Sequence, residues 1–159
     1  MNRNVFLFLA AMAAFFGEAV AQEAGAGAEP GMTIEEAAAV FEEQSFTAEI
    51  VDAYALAAEA WSHRFLVEGF NCGEARCTEF VFSAAFDDAA GFSLERINQW
   101  NLQEPAGRAF LNAEGAPMID HVVSVGAPDD ADVFYEGLLL WLEALEDFSA
   151  YLDEGEAAS

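Results

Sequence analysis

Two segments in close order restrict the fold more than any other part of the chain. Ser93-Leu-Glu-Arg-Ile-Asn-Gln-Trp-Asn101 has a serine suited to an N-cap and Glu95 in the first turn. Leu94, Ile97 and Trp100 fall on one stripe, so the spacing predicts a short capped helix. After a brief connection, residues 108–111 read as a strand and Asn112-Ala-Glu-Gly115 as its turn. Asparagine at the first turn position and glycine at the fourth favour a type I turn. Residues 117–125 return as the second strand of the hairpin. Helix, connection and hairpin are expected to lock together at this corner.

The remaining chain supplies the elements around it. Thr33-Ile-Glu-Glu36 is a capping box, and Ile34, Ala38 and Phe41 follow at helical spacing, so a first helix runs to about Gln44. Residues 47–52 alternate weakly and read as a strand. Residues 53–60 are open between a helix, which their alanines favour, and a short irregular strand or loop. Residues 64–71 and 77–86 are strands; the second places Phe80, Phe82, Ala84 and Phe86 on one face. Cys72-Gly-Glu-Ala-Arg-Cys77 is a hairpin-sized connection between them, and residues 87–91 are a loop. Residues 126–129 break the last strand, and Asp129 or Asp130 can cap a final helix. Phe134, Leu138, Trp141, Leu145, Phe148 and Leu152 step along that helix by three and four. Strands paired as hairpins with helices outside them predict an α+β fold, an antiparallel sheet of hairpins flanked by α-helices.

With 159 residues, 55% of them hydrophobic, one domain with a packed interior is expected. Charge narrows the partners. There are 29 acidic residues against 5 arginines and no lysine, a net charge of -24. Phosphate binding needs a cationic patch, so nucleic acid is excluded, and docking on anionic lipid is disfavoured. The acidity reads as a solvated surface, suited to a salty habitat where screening relieves self-repulsion. Residues 1–21 read as a signal peptide: Arg3, an apolar run from Val5 to Phe16 too short to span a membrane, and the small-x-small pattern Ala19-Val20-Ala21. Residues 22–31 have linker composition, 32–153 form the domain, and 154–159 are an acidic disordered tail. The expected location is periplasmic or secreted, with no membrane attachment after cleavage.

The hairpin cysteine, the Phe-rich strand, Leu94-Glu-Arg-Ile-Asn-Gln-Trp-Asn101, Gly107-Arg-Ala-Phe-Leu111, the Gly115-x-Pro117 turn exit and the Trp141 helix together resemble the YbjN-type domain. That family is labelled a bacterial sensory transduction regulator. The resemblance covers roughly residues 33–152 and is strongest over 77–117. It implies a fold similar to type III secretion chaperones, which are commonly dimers that bind a partner chain without chemistry. It carries over no catalytic residues. Those chaperones work in the cytoplasm, which conflicts with an export signal.

Candidate sites follow from the residues themselves. Cys72 and Cys77 are the two cysteines of an exported chain, and a disulfide across the hairpin is the structural reading. Closing so short a loop stabilises by about 2 kcal/mol in the chain-entropy model. A redox-active pair would want tighter spacing, and a zinc site would need His63 and His121 to converge on the same hairpin. Asp120 and His121 are strand neighbours that point to opposite faces, so they form no base–orienter pair. His121 is expected half-buried and hydrogen-bonded, and His63 at the surface or a strand edge.

Asn98, Trp100, Asn101 and Arg108 are the set that could line a small polar pocket with an indole wall. The structural alternative puts Asn101 at the helix C-terminus, Asn98 on the backbone of the following connection, Trp100 in the core and Arg108 against a carboxylate. The acidic groups Asp87-Asp88, Asp129-Asp130 and Glu143, Glu146 and Asp147 lack the ligand spacing of a calcium loop. No nucleophile elbow, phosphate loop or dinucleotide fingerprint is present. The expectation is an exported, non-enzymatic protein-interaction module of the cell envelope, without cofactor, able to form a homodimer. The alternative is a small-ligand or divalent-cation binder.

Overall fold

The computed structural model describes residues 29–86, 92–126 and 130–156. The expected signal peptide, most of the linker, the loop at 87–91 and the end of the tail lie outside the described residues. The first helix, α1 (Ile34–Glu43), opens from the expected capping box. Thr33 Oγ1 accepts from the Glu36 amide at 3.2 Å while the Glu36 carboxylate accepts from the Thr33 N–H at 2.9 Å. Four strands follow as a meander: β1 (Thr47–Asp52), β2 (Ala55–Ala60), β3 (His63–Gly73) and β4 (Arg76–Ala85). Then come α2 (Leu94–Gln103), the hairpin β5 (Arg108–Leu111) and β6 (Pro117–Ser124), and α3 (Asp130–Glu156). The strands form one antiparallel sheet in the order β1-β2-β3-β4-β6-β5. Thus β6 docks beside β4, and β5 is carried to the edge. This is the expected α+β class.

One stretch left open by the sequence is settled, and three details differ from expectation. Residues 55–60 form a strand, since pairing with β1 on one side and β3 on the other overrides the helical preference of their alanines. Strands β3 and β4 run through both cysteines, leaving only Glu74-Ala75 between their last paired residues. Leu94 stands 65% exposed instead of joining Ile97 and Trp100 in the core. Helix α3 continues to Glu156, into the stretch read as tail.

Alternation along the strands puts Leu56, Ala58, Phe65, Val67, Phe80, Phe82, Ala84, Ile119 and Val123 on one buried face. The rings of α1 and α3 close over it. Phe134 meets Phe80 edge-on at 5.1 Å and Phe41 at 6.1 Å, and Trp141 meets Phe65 at 5.6 Å. All six residues of the expected α3 stripe, from Phe134 to Leu152, are buried. Gly137 permits the close approach of α3 to β6, because a Cβ there would lie 2.4 Å from Val123 Cγ2.

The chain entering α1 is clamped to the end of the β3–β4 hairpin. Met32 exchanges two backbone hydrogen bonds with Cys77, at 3.0 and 2.8 Å. Arg76 donates from Nε and Nη2 to the Gly31 carbonyl and from Nη1 to Glu36 at 2.9 Å. Asp130, the first residue of α3, accepts from the amides of Gly31 at 3.0 Å and Gly126 at 2.6 Å. Asp129, the other candidate cap, lies outside the described residues.

The α3–β6 contact makes a specific prediction. Gly137→Ala should gain about 1 kcal/mol of helix propensity yet destabilise the protein by about 1–3 kcal/mol in urea unfolding, through overlap with Val123. Combining it with Val123→Ala should recover most of that loss, so the double-mutant cycle should show strong coupling. Additive effects would mean that the contact is loose.

Candidate functional site

The corner of α2 and β5 is built from side chains that replace missing backbone partners. Ser93 caps α2, its Oγ accepting from the Arg96 amide at 3.3 Å. Trp100 is buried against Phe148 at 4.9 Å and Tyr151 at 5.5 Å, and its indole N–H donates to the Gly107 carbonyl at 3.3 Å. Asn101 is not at the helix end, because α2 continues to Gln103 and closes at Glu104 in extended conformation. Instead its carboxamide accepts from the Ala109 N–H at 2.8 Å and donates to the Ala109 carbonyl at 2.9 Å. It pairs with β5 as another strand would, and so occupies the outer edge of the sheet at that point. Asn98, one turn earlier on α2, is exposed and stays out of this arrangement.

Arg108 stands directly across from Asp120 in the β5–β6 register. Its Nε and Nη2 donate to the two carboxylate oxygens at 3.1 and 2.5 Å. The pair is unequal: the Arg108 side chain is 73% exposed, that of Asp120 10%. The hydrogen bond to Asp120, and then its charge, push the guanidinium pKa up. Beside them β6 continues past the start of β5, and an open hollow of about 590 Å³ lies there. Asn101, Glu104, Arg108, Asp120, His121 and Val122 contribute to its wall. Of the expected pocket set, Asn101 and Arg108 therefore come together, while Trp100 goes to the core and Asn98 to the surface.

The expected opposition of Asp120 and His121 holds: Asp120 faces Arg108, and His121 pairs with Phe82 on the helix side. Burial pushes the His121 imidazole below its ordinary 6.5, and the Asp120 charge offsets this in part. His63, half-buried, begins β3. Cys72 and Cys77 are joined in a disulfide and sit opposite each other in the strand register. Among the described residues, no group of three or more His, Cys, Asp or Glu is placed to hold a metal ion. Glu143, Glu146 and Asp147 are exposed on α3. No helix of the described residues is long and apolar enough to cross a membrane.

A second surface is an exposed sheet face, whose residues the sequence did not single out. The face of the sheet opposite the helices carries Leu66, Glu68 and Phe70 of β3, Glu79, Val81 and Ser83 of β4, and Asp120, Val122 and Ser124 of β6. Phe70 is 47% exposed and Val122 52%. The signal was the phase of alternation: these residues stand one step out of register with the buried Val67, Phe80 and Val123.

Residues 33–154 match the YbjN family model, described as "putative bacterial sensory transduction regulator". No curated protein and no solved structure matches the chain.

Two measurements check these assignments. Asn101→Ala should cost about 1–2 kcal/mol by leaving Ala109 unpaired. Asn101→Asp, which keeps the acceptor but turns a second oxygen toward the Ala109 carbonyl, should cost at least as much. Asn98→Ala should stay within about 0.5 kcal/mol in the same unfolding assay. For His121, the folded state binds its proton less readily than the unfolded chain. Its contribution is therefore fully present above pH 6.5 and declines as pH falls from there toward the lower folded pKa. The difference in stability between wild type and His121→Gln should shift in the wild type's disfavour over that window. An unchanged difference would show that the imidazole is solvated.

Proposed function

The chain belongs to the YbjN family, and on that premise we propose that it is an exported, non-enzymatic regulatory module that binds a partner protein in the bacterial cell envelope. The observation that carries this reading is the uncovered face of the sheet. Helices α1 and α3 pack on the other face, so apolar residues on β3, β4 and β6 meet solvent while their strands are held rigid from behind. The Cys72–Cys77 disulfide suits an oxidising compartment, as does the signal-like pattern of residues 1–21. At the α2–β5 corner the polar groups are spent on internal pairing: Asn101 on Ala109, Arg108 on Asp120. That is the economy of a structural joint.

Crosslinking of the native envelope fraction followed by mass spectrometry tests the reading. The expected result is a partner protein joined to this chain in that fraction. Recovery of the chain in the cytoplasm, or without crosslinks, would overturn it.

One observation favours a second reading, a small-ligand binder: the exposed guanidinium of Arg108 overlooks the hollow of about 590 Å³. A thermal shift with a metabolite library and with calcium, abolished by Arg108→Ala, is the outcome that would favour it.

A further inference from the structure

On the uncovered face, four side chains of β3 and β4 form a checkerboard. Phe70 lies directly across from Glu79, and Glu68 directly across from Val81. The two apolar residues therefore share one diagonal and the two carboxylates the other, with diagonal neighbours about 7–8 Å apart. Val122 of β6 adjoins Val81 and extends the apolar diagonal toward the hollow. Phe70 and Val122 are each about half exposed, at 47% and 52%.

The charge of this surface selects its occupant. The described arginines are committed elsewhere: Arg64 to Glu59, Arg76 to Gly31 and Glu36, Arg96 to the Tyr151 carbonyl and ring, Arg108 to Asp120. A second copy of the chain would bring its own Glu68 and Glu79 against this patch, in a protein of net charge -24 whose four described guanidiniums each already have an internal partner. Like charges facing across an interface cost several kcal/mol. A neutral apolar partner would leave the two carboxylates to be desolvated unpaired, which is also costly. Cations on the partner remove both penalties.

We propose that the Phe70–Val81–Val122 band, framed by Glu68 and Glu79, docks a basic protein segment in which at least two lysine or arginine residues stand among apolar ones. The inference rests on the protein-binding reading above and specifies the chemistry of the partner. Burial of Phe70 and Val122 supplies the affinity, and the two glutamates supply selectivity and association rate.

The test places the photoreactive residue p-benzoylphenylalanine at position 70 and, separately, at position 140, an exposed site on α3, in the full chain expressed in its own cells. The expected result is a crosslink from position 70 to a segment that carries two or more basic residues, read by mass spectrometry. Its yield should fall at least tenfold in Glu68→Gln/Glu79→Gln, whose circular dichroism should match wild type, and should fall as salt rises. A crosslinked segment that is acidic, neutral or part of a second copy overturns the proposal. So does a yield indifferent to the two substitutions. Crosslinks from position 140 alone overturn this surface but leave the protein-binding reading standing, whereas none at either position overturns both.

Discussion

The packing of α3 against one face of the sheet is the constraint on which the rest of the structure depends. Its buried stripe, with Phe134 and Trp141 at the centre, meets rings from β3 and β4 and, through Phe41, from α1. The contact is close enough that Gly137 must lack a side chain where Val123 approaches. Because α1 lies on that same side, the sheet is covered once and bare once. The inner face holds the fold together, and the outer face inherits its rigidity while remaining available.

A sheet used in this way must manage its margins. Asn101 supplies a two-point amide contact to Ala109 and so occupies the β5 edge with a side chain. At the other end of the strands, Arg76 and Asp130 hold the segment before α1 from opposite sides of Gly31. The disulfide closes the hairpin that carries Arg76. Gly31 lies at the entry of α1 and Asp130 is itself the first residue of α3, so one clamp ties both helices to the sheet. Arginine is scarce in this chain, and three of the four described ones, Arg76, Arg96 and Arg108, serve structural contacts of this kind.

Much of this was legible in the residues. The capping box at Thr33, the Ser93 cap, the Asn112–Gly115 turn and the α3 stripe are local codes, and each appears where its spacing put it. Strand β2 was not legible, because Ala55–Ala60 has helical composition and its hairpin turns through Trp61-Ser62, both at positive φ, without the usual Asn-Gly signal. At the amide-rich corner Trp100 lies in the core and Arg108 against a carboxylate, as its spacing suggested, but the two asparagines fall differently. Helical spacing shows that Asn98 and Asn101 are neighbours on α2 without showing which of them meets the edge of β5.

The sequence by itself determined the fold class, the family, the cysteine pairing and the strongly acidic character. Those properties depend on local spacing and on composition. Only the tertiary structure decided that β6 lies beside β4, that Asn101 closes an edge, and that Phe70, Glu79, Val81, Glu68 and Val122 share one open surface. Each of these depends on which strands become neighbours. That choice is made by burying one face of the central strands together under α1 and α3, and no single segment encodes it.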